Sequence, residues 1–195
     1  MYCFITFLKN RFFFENTDEM KTEKSNPEIA NDFDRTAQHL LKTISSFDEN
    51  IFNKVPFEGS WTAAQVADHV AKSLTGAAKT LYGDVRPTQR KPDEHVEKLR
   101  SIFLNFKIKM QSPEFILPAE NPLEKAAVYQ RLKEVTDTIS KATKTLDLSF
   151  TSTIPFPKSG ELTRYEWISF SIFHTERHIR QLKKIKEHFD AITAN

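Results

Sequence analysis

Residues 172–182, with the sequence IFHTERHIRQL, contain the pattern that decides how the rest of the chain is interpreted. The two histidines, His174 and His178, lie four residues apart in a segment whose composition predicts a buried helix. At about 100° per residue, their side chains fall within about 40° of each other around that helix, one turn apart. Two imidazoles placed in this way can hold one metal ion from the same side. The stretch therefore raises the question of a third ligand.

Apolar residues that recur every three or four positions predict four long helices along the chain. The third of these helices is expected to begin at Asn121 and Pro122, a favourable pair for a cap and a first turn. Each of the other three begins at a capping box, in which Ser or Thr is followed three positions later by Glu or Gln: Ser25 with Glu28, Thr62 with Gln65, and Thr163 with Glu166. The four helices are expected to end near Phe47, Gly83, Leu148 and Phe189.

No convincing alternating strand accompanies these helices, so the predicted fold class is all-α, an antiparallel four-helix bundle. The connection between the second and third helices, residues 84–122, contains five prolines and has room for one short helix at residues 93–107. A connection of this length predicts a crossover rather than a plain up-down-up-down chain, and long connections are often functional. In a second loop, Ile154 and Phe156 are expected to pack down as a short extended segment.

The composition is that of an ordinary globular protein. The 195 residues, 28% charged and 39% hydrophobic, suit one domain with its own core. Basic and acidic residues are interspersed and the formal net charge is +2, which argues against nucleic acid as a partner. The single cysteine, Cys3, excludes a disulfide or a cysteine-based zinc site within one chain. It also fits a reducing compartment, so a cytoplasmic protein is predicted.

Residues 1–24 are predicted to be an N-terminal extension, and residues 25–190 to be the helical bundle domain. The apolar part of the extension is too short and too interrupted by charge to span a bilayer, and it lacks the pattern of a signal peptide. No membrane association is therefore predicted. One interpretation is that Met20 is the natural start of the protein. The alternative is that the extension packs on the domain or on a partner subunit.

A third candidate ligand is His69, at the edge of the apolar face of the second predicted helix. Ser171 and Gln181 share the face of His174 and His178, and polar residues on a core face are costly unless they are hydrogen-bonded or wetted. This face therefore resembles the wall of a polar site. Three neutral imidazoles around a divalent ion, with water in the open position, form a catalytic type of zinc site, and Ni²⁺ or Fe²⁺ also accepts three nitrogens. The alternative, histidines that belong to the core or the surface, stays open on the residues alone.

The other acidic and histidine residues are expected to lie outside this site. Glu176 lies about 200° from His174 around the helix, and the order H-T-E-R-H differs from the H-E-x-x-H of metalloproteases. His188 lies about 15 Å from His178 along the helix axis. His39 and His95 are expected to be surface residues.

Two motifs resemble those of the DinB-like metal-binding superfamily. The sequence WTAAQVADHV at residues 61–70 is similar to the start of the family's second helix, which leads to a histidine. Residues 174–182 are similar to its second motif, H-x-x-x-H followed by Gln-Leu. The resemblance implies an antiparallel four-helix bundle with a crossover, a metal site formed by His69, His174 and His178, and frequent homodimers. A surface formed by Ile168, Ile172 and Ile179 is the candidate dimer interface.

Characterised members of that superfamily include thiol-dependent enzymes, such as bacillithiol S-transferases and mycothiol-dependent isomerases. The leading hypothesis is therefore a metal-dependent transferase or hydrolase that acts on a small molecule, in which a metal activates water or a low-molecular-weight thiol. The residues expected to line its pocket are Glu58, Trp61, Ser73, Ser171 and Gln181. Three alternatives stay open: a structural metal, a non-catalytic stress-response binding module, and a helical bundle without metal.

Overall fold

The structure is a computed structural model that describes residues 26–157 and 160–193. Within these residues the chain forms six α-helices: α1 (Asn26–Ser45), α2 (Glu49–Phe52), α3 (Ala63–Leu81), α4 (Val96–Phe103), α5 (Lys125–Thr145) and α6 (Arg164–Thr193). The long helices α1, α3, α5 and α6 are the four expected from the sequence. They form the antiparallel four-helix bundle, which confirms the predicted fold class. The predicted extension, residues 1–24, lies outside the described residues.

The four long helices pack in a square arrangement. Helices α1 and α3 each pack against both α5 and α6, so α1 and α3 occupy opposite corners of the bundle. The core between them is built from fully buried aliphatic and aromatic side chains, including Phe33, Leu40, Leu74, Leu132, Ile139 and Ile168. The residues of α6 from 165 to 175 are all buried, because α1, α3, α4 and a small sheet together surround this part of the helix.

The Thr62 and Thr163 capping boxes are present as predicted. The Thr62 hydroxyl accepts the N–H of Gln65 at 3.1 Å, and the Gln65 side chain accepts the N–H of Thr62 at 3.1 Å. Thr163 and Glu166 exchange the equivalent bonds at 3.1 and 2.9 Å. The Ser25 box lies outside the described residues. The two observed boxes fix the starts of the helices that carry the three candidate histidines.

The predicted start of the third long helix is wrong. Helix α5 begins at Lys125 rather than after Pro122. The amide side chain of Asn53 explains the difference, since it accepts the N–H of Leu123 and donates to the carbonyl of Leu123, both at 2.9 Å. Both polar backbone groups of Leu123 are therefore bonded outside the helix. Three other predicted bounds also differ: α4 is shorter than residues 93–107, α5 ends at Thr145 rather than near Leu148, and α6 extends to Thr193.

A small antiparallel sheet is present where the sequence predicted no convincing strand. Its strands are β1 (Val85–Arg86), β2 (Thr151–Phe156) and β3 (Gly160–Thr163), in the order β1-β2-β3. Strands of two to six residues are too short to carry a recognisable alternation, and β2 contains Pro155, a residue that is unfavourable within a strand. The expected extended segment at Ile154 and Phe156 is part of β2.

The crossover runs from the end of α3 to the start of α5 and is attached to the beginning of α6 through Glu166. This carboxylate is fully buried, and both of its oxygens accept bonds from the Arg90 guanidinium at 2.6 Å. It also accepts the backbone N–H of His95 at 2.7 Å. A residue predicted only as a helix cap thus also anchors the first half of the crossover.

The isoleucines proposed for a dimer interface are inside the protein. Ile168, Ile172 and Ile179 are at most 7% exposed, since α6 packs with α1 on this side. They are therefore not available to a second copy of the chain.

None of the helices within the described residues has the length and apolarity to cross a membrane.

Candidate metal centre

Three imidazoles meet in the interior of the bundle. His69 is supplied by α3, and His174 and His178 are supplied by successive turns of α6. The Nε2 atom of His174 lies 3.1 Å from Nε2 of His69 and 3.2 Å from Nε2 of His178. All three side chains are buried. Two helices that are remote in sequence therefore bring three nitrogen ligand atoms to one point.

Hydrogen bonds on the far side of two of the rings determine where their protons lie. The Nδ1 atom of His69 is 2.9 Å from the carbonyl oxygen of Ile116, and Nδ1 of His178 is 2.9 Å from Oε1 of Gln181. Both oxygens are acceptors, so each Nδ1 carries the hydrogen and donates it. The Nε2 lone pairs of His69 and His178 consequently point toward His174. Such outer bonds are the usual way in which proteins orient metal-binding histidines.

The buried environment keeps these imidazoles uncharged. Burial lowers the pKa of His69, lowers that of His178 to about 3, and lowers that of His174 well below its usual 6.5. The neighbouring histidines lower the pKa of His174 and His178 further, because two positive rings so close together repel. Neutral imidazole is the form that binds a metal, so the three rings are available as ligands at neutral pH.

The donor set fits a divalent transition ion. Tetrahedral coordination at the usual Zn–N length of 2.0–2.1 Å separates the ligand nitrogens by about 3.3 Å. The two measured Nε2 separations, 3.1 and 3.2 Å, are close to that value. Three lone pairs that converge without a cation or a proton between them would repel one another. The geometry and the chemistry of His69, His174 and His178 therefore agree with a three-histidine metal site.

A short part of the crossover, residues 116–119, lies along α3 beside His69; we call it the strap. The Lys72 ammonium donates to the carbonyl of Leu117 at 2.7 Å, and Gln65 donates to the carbonyl of Ala119 at 3.3 Å. Asp68 accepts the N–H of Ala119 at 3.0 Å. The α3 residues that make these contacts lie on one face of the helix, at positions i, i+3, i+4 and i+7: Gln65, Asp68, His69 and Lys72. The strap is therefore bonded to α3 over two turns, and it supplies the carbonyl that orients His69.

Arg177 attaches the earlier part of the crossover to α6. Its guanidinium donates to the carbonyls of Phe103 and Asn105 at 3.1 and 3.0 Å, and also to the carbonyl of Ile108. The crossover is thus bonded to both helices that carry the histidines. The sequence indicated a functional connection here, but it could not identify the strap, because a carbonyl acceptor has no signature in the side-chain pattern.

A cavity of about 1890 Å³ opens over the three histidines. Its inner wall is aromatic: the ring of Trp61 is 5.1 Å from that of His69, and the rings of Phe103 and Phe170 are 5.9 and 5.3 Å from that of His174. Trp167 and Phe156 also line it. These rings make the wall beside the imidazoles of His69 and His174 largely apolar.

The structure places four of the five predicted pocket residues in this cavity. Glu58, Trp61, Ser73 and Gln181 line it, with Gln181 bonded to His178. Ser171 is not among the described residues that line the cavity. It is fully buried, and its hydroxyl donates to the carbonyl of Trp167 at 2.8 Å. This bond to the residue four positions earlier removes the need for contact with water.

The histidines and the glutamate expected outside the site do not join it. Glu176 is exposed and lines a different cavity, beside α1. The His188 ring packs against Phe57, with ring centres 5.8 Å apart, rather than against the histidine cluster. His39 is exposed, as predicted. His95 is half-buried and precedes the first turn of α4.

Comparison with known proteins identifies the family. The family model described as the DinB superfamily matches residues 32–182. The chain belongs to the DinB superfamily. This membership confirms the resemblance seen in the two sequence motifs.

Among individual relatives of this DinB-superfamily chain, the uncharacterized protein YuaE of Bacillus subtilis (strain 168) is 30% identical over 148 residues. The match covers 75% of this chain and 88% of YuaE.

Two solved structures resemble the fold. The four-helix bundle protein TT2238 is 21% identical, with a TM-score of 0.50, and the match covers 82% of this chain and 99% of TT2238. YfiT from Bacillus subtilis, described as a probable metal-dependent hydrolase with an unusual four-helix bundle topology, is 15% identical with a TM-score of 0.55. The match covers 94% of both chains. At these identities the likeness concerns the fold.

Proposed function

We propose that this DinB-superfamily protein is a metal-dependent enzyme that acts on a small molecule, as a thiol S-transferase or a hydrolase. The observation that carries the proposal is the convergence of three buried, neutral imidazoles at the floor of a cavity. His69, His174 and His178 would hold the ion. Zn²⁺ and Ni²⁺ are the ions we favour, and Fe²⁺ also accepts three nitrogen ligands.

Two further observations support a metal-dependent role. The chain shares its fold with YfiT, which is described as a probable metal-dependent hydrolase. In addition, the carbonyl of Ile116 and the amide of Gln181 orient two of the rings with Nε2 directed inward. Residues that determine the tautomers of His69 and His178 are expected where a metal must be bound.

A divalent ion in this position would lower the pKa of a water or of a low-molecular-weight thiol that reaches its open side. The residues of the chain itself would shape the site and contact the substrate. Trp61, Phe103 and Phe170 exclude bulk water from the three imidazoles, and Glu58 and Ser73 offer polar contacts to a bound molecule. In our proposal a thiol nucleophile is a cosubstrate held by the metal, so the reaction requires no cysteine of the protein.

A non-catalytic, metal-stabilised binding module is the second candidate. The bonds of the crossover to both α3 and α6 favour it, because an ion shared by those helices would lock the same region. In that case His69→Ala would lower the thermal midpoint of unfolding, but no reaction would be accelerated by the metal-loaded protein. The two candidates are thus separated by turnover rather than by metal content.

Turnover is tested with two probe reactions on metal-loaded protein. One is the conjugation of 1-chloro-2,4-dinitrobenzene with cysteine or glutathione, and the other is the hydrolysis of p-nitrophenyl acetate. We expect wild type to accelerate at least one of them and His174→Ala to lose more than about 100-fold of that rate. His39→Ala removes an exposed histidine and should keep the wild-type rate. Rates equal to background with the metal bound would contradict the enzymatic proposal and favour the second candidate.

Homodimerisation and a cytoplasmic location stay predictions from the sequence. Since Ile168, Ile172 and Ile179 are buried within one chain, any dimer interface must use other residues. Sedimentation equilibrium of the full chain would decide between a monomer and a dimer.

A further inference from the structure

The cavity over the three histidines has an excess of positive charge. Among the described residues, seven basic side chains line it and two acidic ones, Glu58 and Glu134. Positive side chains around a concave surface with apolar walls concentrate anions there. A basic side chain that already has a partner within the protein is less available to bind a ligand.

Three of the seven basic residues are engaged in holding the protein together. Lys72 and Arg131 pair with the buried carboxylate of Asp68, at 3.0 and 2.6 Å. Arg177 donates to three backbone carbonyls of the crossover. A fourth, Lys79, lies ten residues after His69 in α3, about 15 Å farther along the helix axis.

The other three, Lys109, Arg180 and Lys184, lie on the α6 side of the cavity. Arg180 and Lys184 are one turn apart on α6, so their side chains are neighbours. The Arg180 guanidinium covers the Phe106 ring at 4.3 Å, and Lys109 follows three residues after that phenylalanine. In the part of the chain that the structure describes, none of the three cations is ion-paired with a carboxylate, and Glu134 instead accepts a bond from Gln130.

Exposed apolar side chains line the same cavity. Phe57, Phe106, Met110, Phe115 and Ile154 are between 43 and 77% exposed, and each of them borders the space that leads to the histidines. We call these five residues the apolar mouth. Clustered exposed apolar surface is costly in water and commonly marks a place where a ligand is bound. A ligand that covers the apolar mouth must itself have an apolar body.

We propose that Lys109, Arg180 and Lys184 form a subsite for the anionic group of an amphipathic small-molecule substrate, whose apolar body lies against the apolar mouth. Along the α6 axis, Arg180 and Lys184 lie about 3 and 9 Å beyond His178. The substrate therefore carries its carboxylate, phosphate or sulfonate at some distance from its reactive end, beyond the histidines toward the C-terminal end of α6. The inference rests on the proposed function only in placing that reactive end at the histidines.

The test compares two probes of equal length, 6-phenylhexanoate and the neutral 6-phenylhexan-1-ol. The two tryptophans of the chain, Trp61 and Trp167, both line the cavity, so their fluorescence reports binding directly. We expect wild type to bind the carboxylate at least about 10-fold more tightly than the alcohol, as for charged groups that meet unpaired cations. In the double variant Arg180→Gln/Lys184→Gln this preference should fall below about twofold, with little change for the alcohol.

The matched control is Lys141→Gln/Lys183→Gln, which removes the same net charge from α5 and α6 at exposed positions that do not line the cavity. It should keep the wild-type preference. The proposal is overturned if wild type shows no preference for the carboxylate. It is also overturned if the double variant keeps the preference, or if the control loses it equally.

The titrations are run on metal-loaded protein, on chelator-treated protein and on His174→Ala. We expect the carboxylate preference in all three, because the subsite cations are not metal ligands. A preference that disappears on removal of the metal would mean that the carboxylate binds the ion, and would overturn the subsite. Conversely, protein that never takes up a metal but keeps the preference would refute the proposed function while supporting the subsite.

Discussion

At the scale of single residues, Gln181 controls how His178 presents its Nε2 atom. Its side-chain oxygen accepts the Nδ1 hydrogen at 2.9 Å. We expect Gln181→Leu to weaken Zn²⁺ binding by roughly 10- to 100-fold, because the ring loses its fixed tautomer and orientation. Competition with a chromophoric chelator measures this affinity. Gln38→Leu, at an exposed position of α1, should leave it unchanged, and an equal affinity in Gln181→Leu would contradict this role.

The positions of the histidines could be predicted from the sequence, but the environment of Ser171 could not. Helical periodicity places His174 and His178 on one face, whereas His69 was assigned to the same site from its position at the edge of an apolar face and from the family resemblance. Ser171 lies on that face too, yet it is bonded to the carbonyl of Trp167. Angular position alone does not tell whether a serine points to a cavity or back to its own helix.

At the scale of secondary-structure elements, the strap depends on Asp68. This carboxylate is 1% exposed and accepts bonds from Ala119, Arg131 and Lys72. Burial raises its pKa, but the bond from Ala119 and those from the two cations outweigh burial and lower it. The charged form of Asp68 therefore holds the strap against α3.

We expect Asp68→Asn to loosen the strap without unfolding the bundle. The substituted amide is a weaker acceptor than a carboxylate, so hydrogen exchange at the Ala119 amide should accelerate by about 10-fold or more. Exchange measured by NMR on the metal-free protein provides the rate. Asp137→Asn removes an exposed carboxylate paired with Lys133 on α5 and should have no effect at this amide. An unchanged rate in Asp68→Asn would show that the strap is held by other contacts.

The start of a helix can be predicted from the sequence when the residues that stabilise it are close together in the chain, but not when they are remote. The starts of α3 and α6 could be predicted because each capping box lies within four consecutive residues. The start of α5 could not, since Asn53, seventy residues earlier in the chain, binds the backbone of Leu123. The second role of Glu166 depends in the same way on Arg90, which is remote in sequence. The sheet was missed because its strands are short and one contains a proline.

At the scale of the whole molecule, the buried histidines couple stability to pH. Their pKa values are lowered in the folded chain, whereas in the unfolded chain they return to about 6.5. Below pH 6.5 the unfolded state binds more protons than the folded state, so stability falls as the pH falls toward the folded pKa values. For His178, whose folded pKa is about 3, the loss between pH 7 and pH 5 is roughly 2 kcal/mol.

This coupling predicts that metal-free His178→Gln loses less stability than wild type over the same interval, by roughly 2 kcal/mol. Urea unfolding in the presence of a chelator, at pH 7 and pH 5, gives the two free energies for each protein. His188→Gln serves as the control, because it replaces a half-buried histidine outside the cluster. Parallel losses in wild type and His178→Gln would contradict the account of a neutral, buried imidazole.

The central claim is that His69, His174 and His178 together bind one metal ion, and metal content tests it most directly. Protein purified without an affinity tag is dialysed at neutral pH and analysed by inductively coupled plasma mass spectrometry. The account predicts about one equivalent of a transition metal in wild type and in His39→Ala, and less than roughly a tenth of an equivalent in His174→Ala. Substantially less than one equivalent in wild type, or the same content in His174→Ala as in wild type, would contradict it.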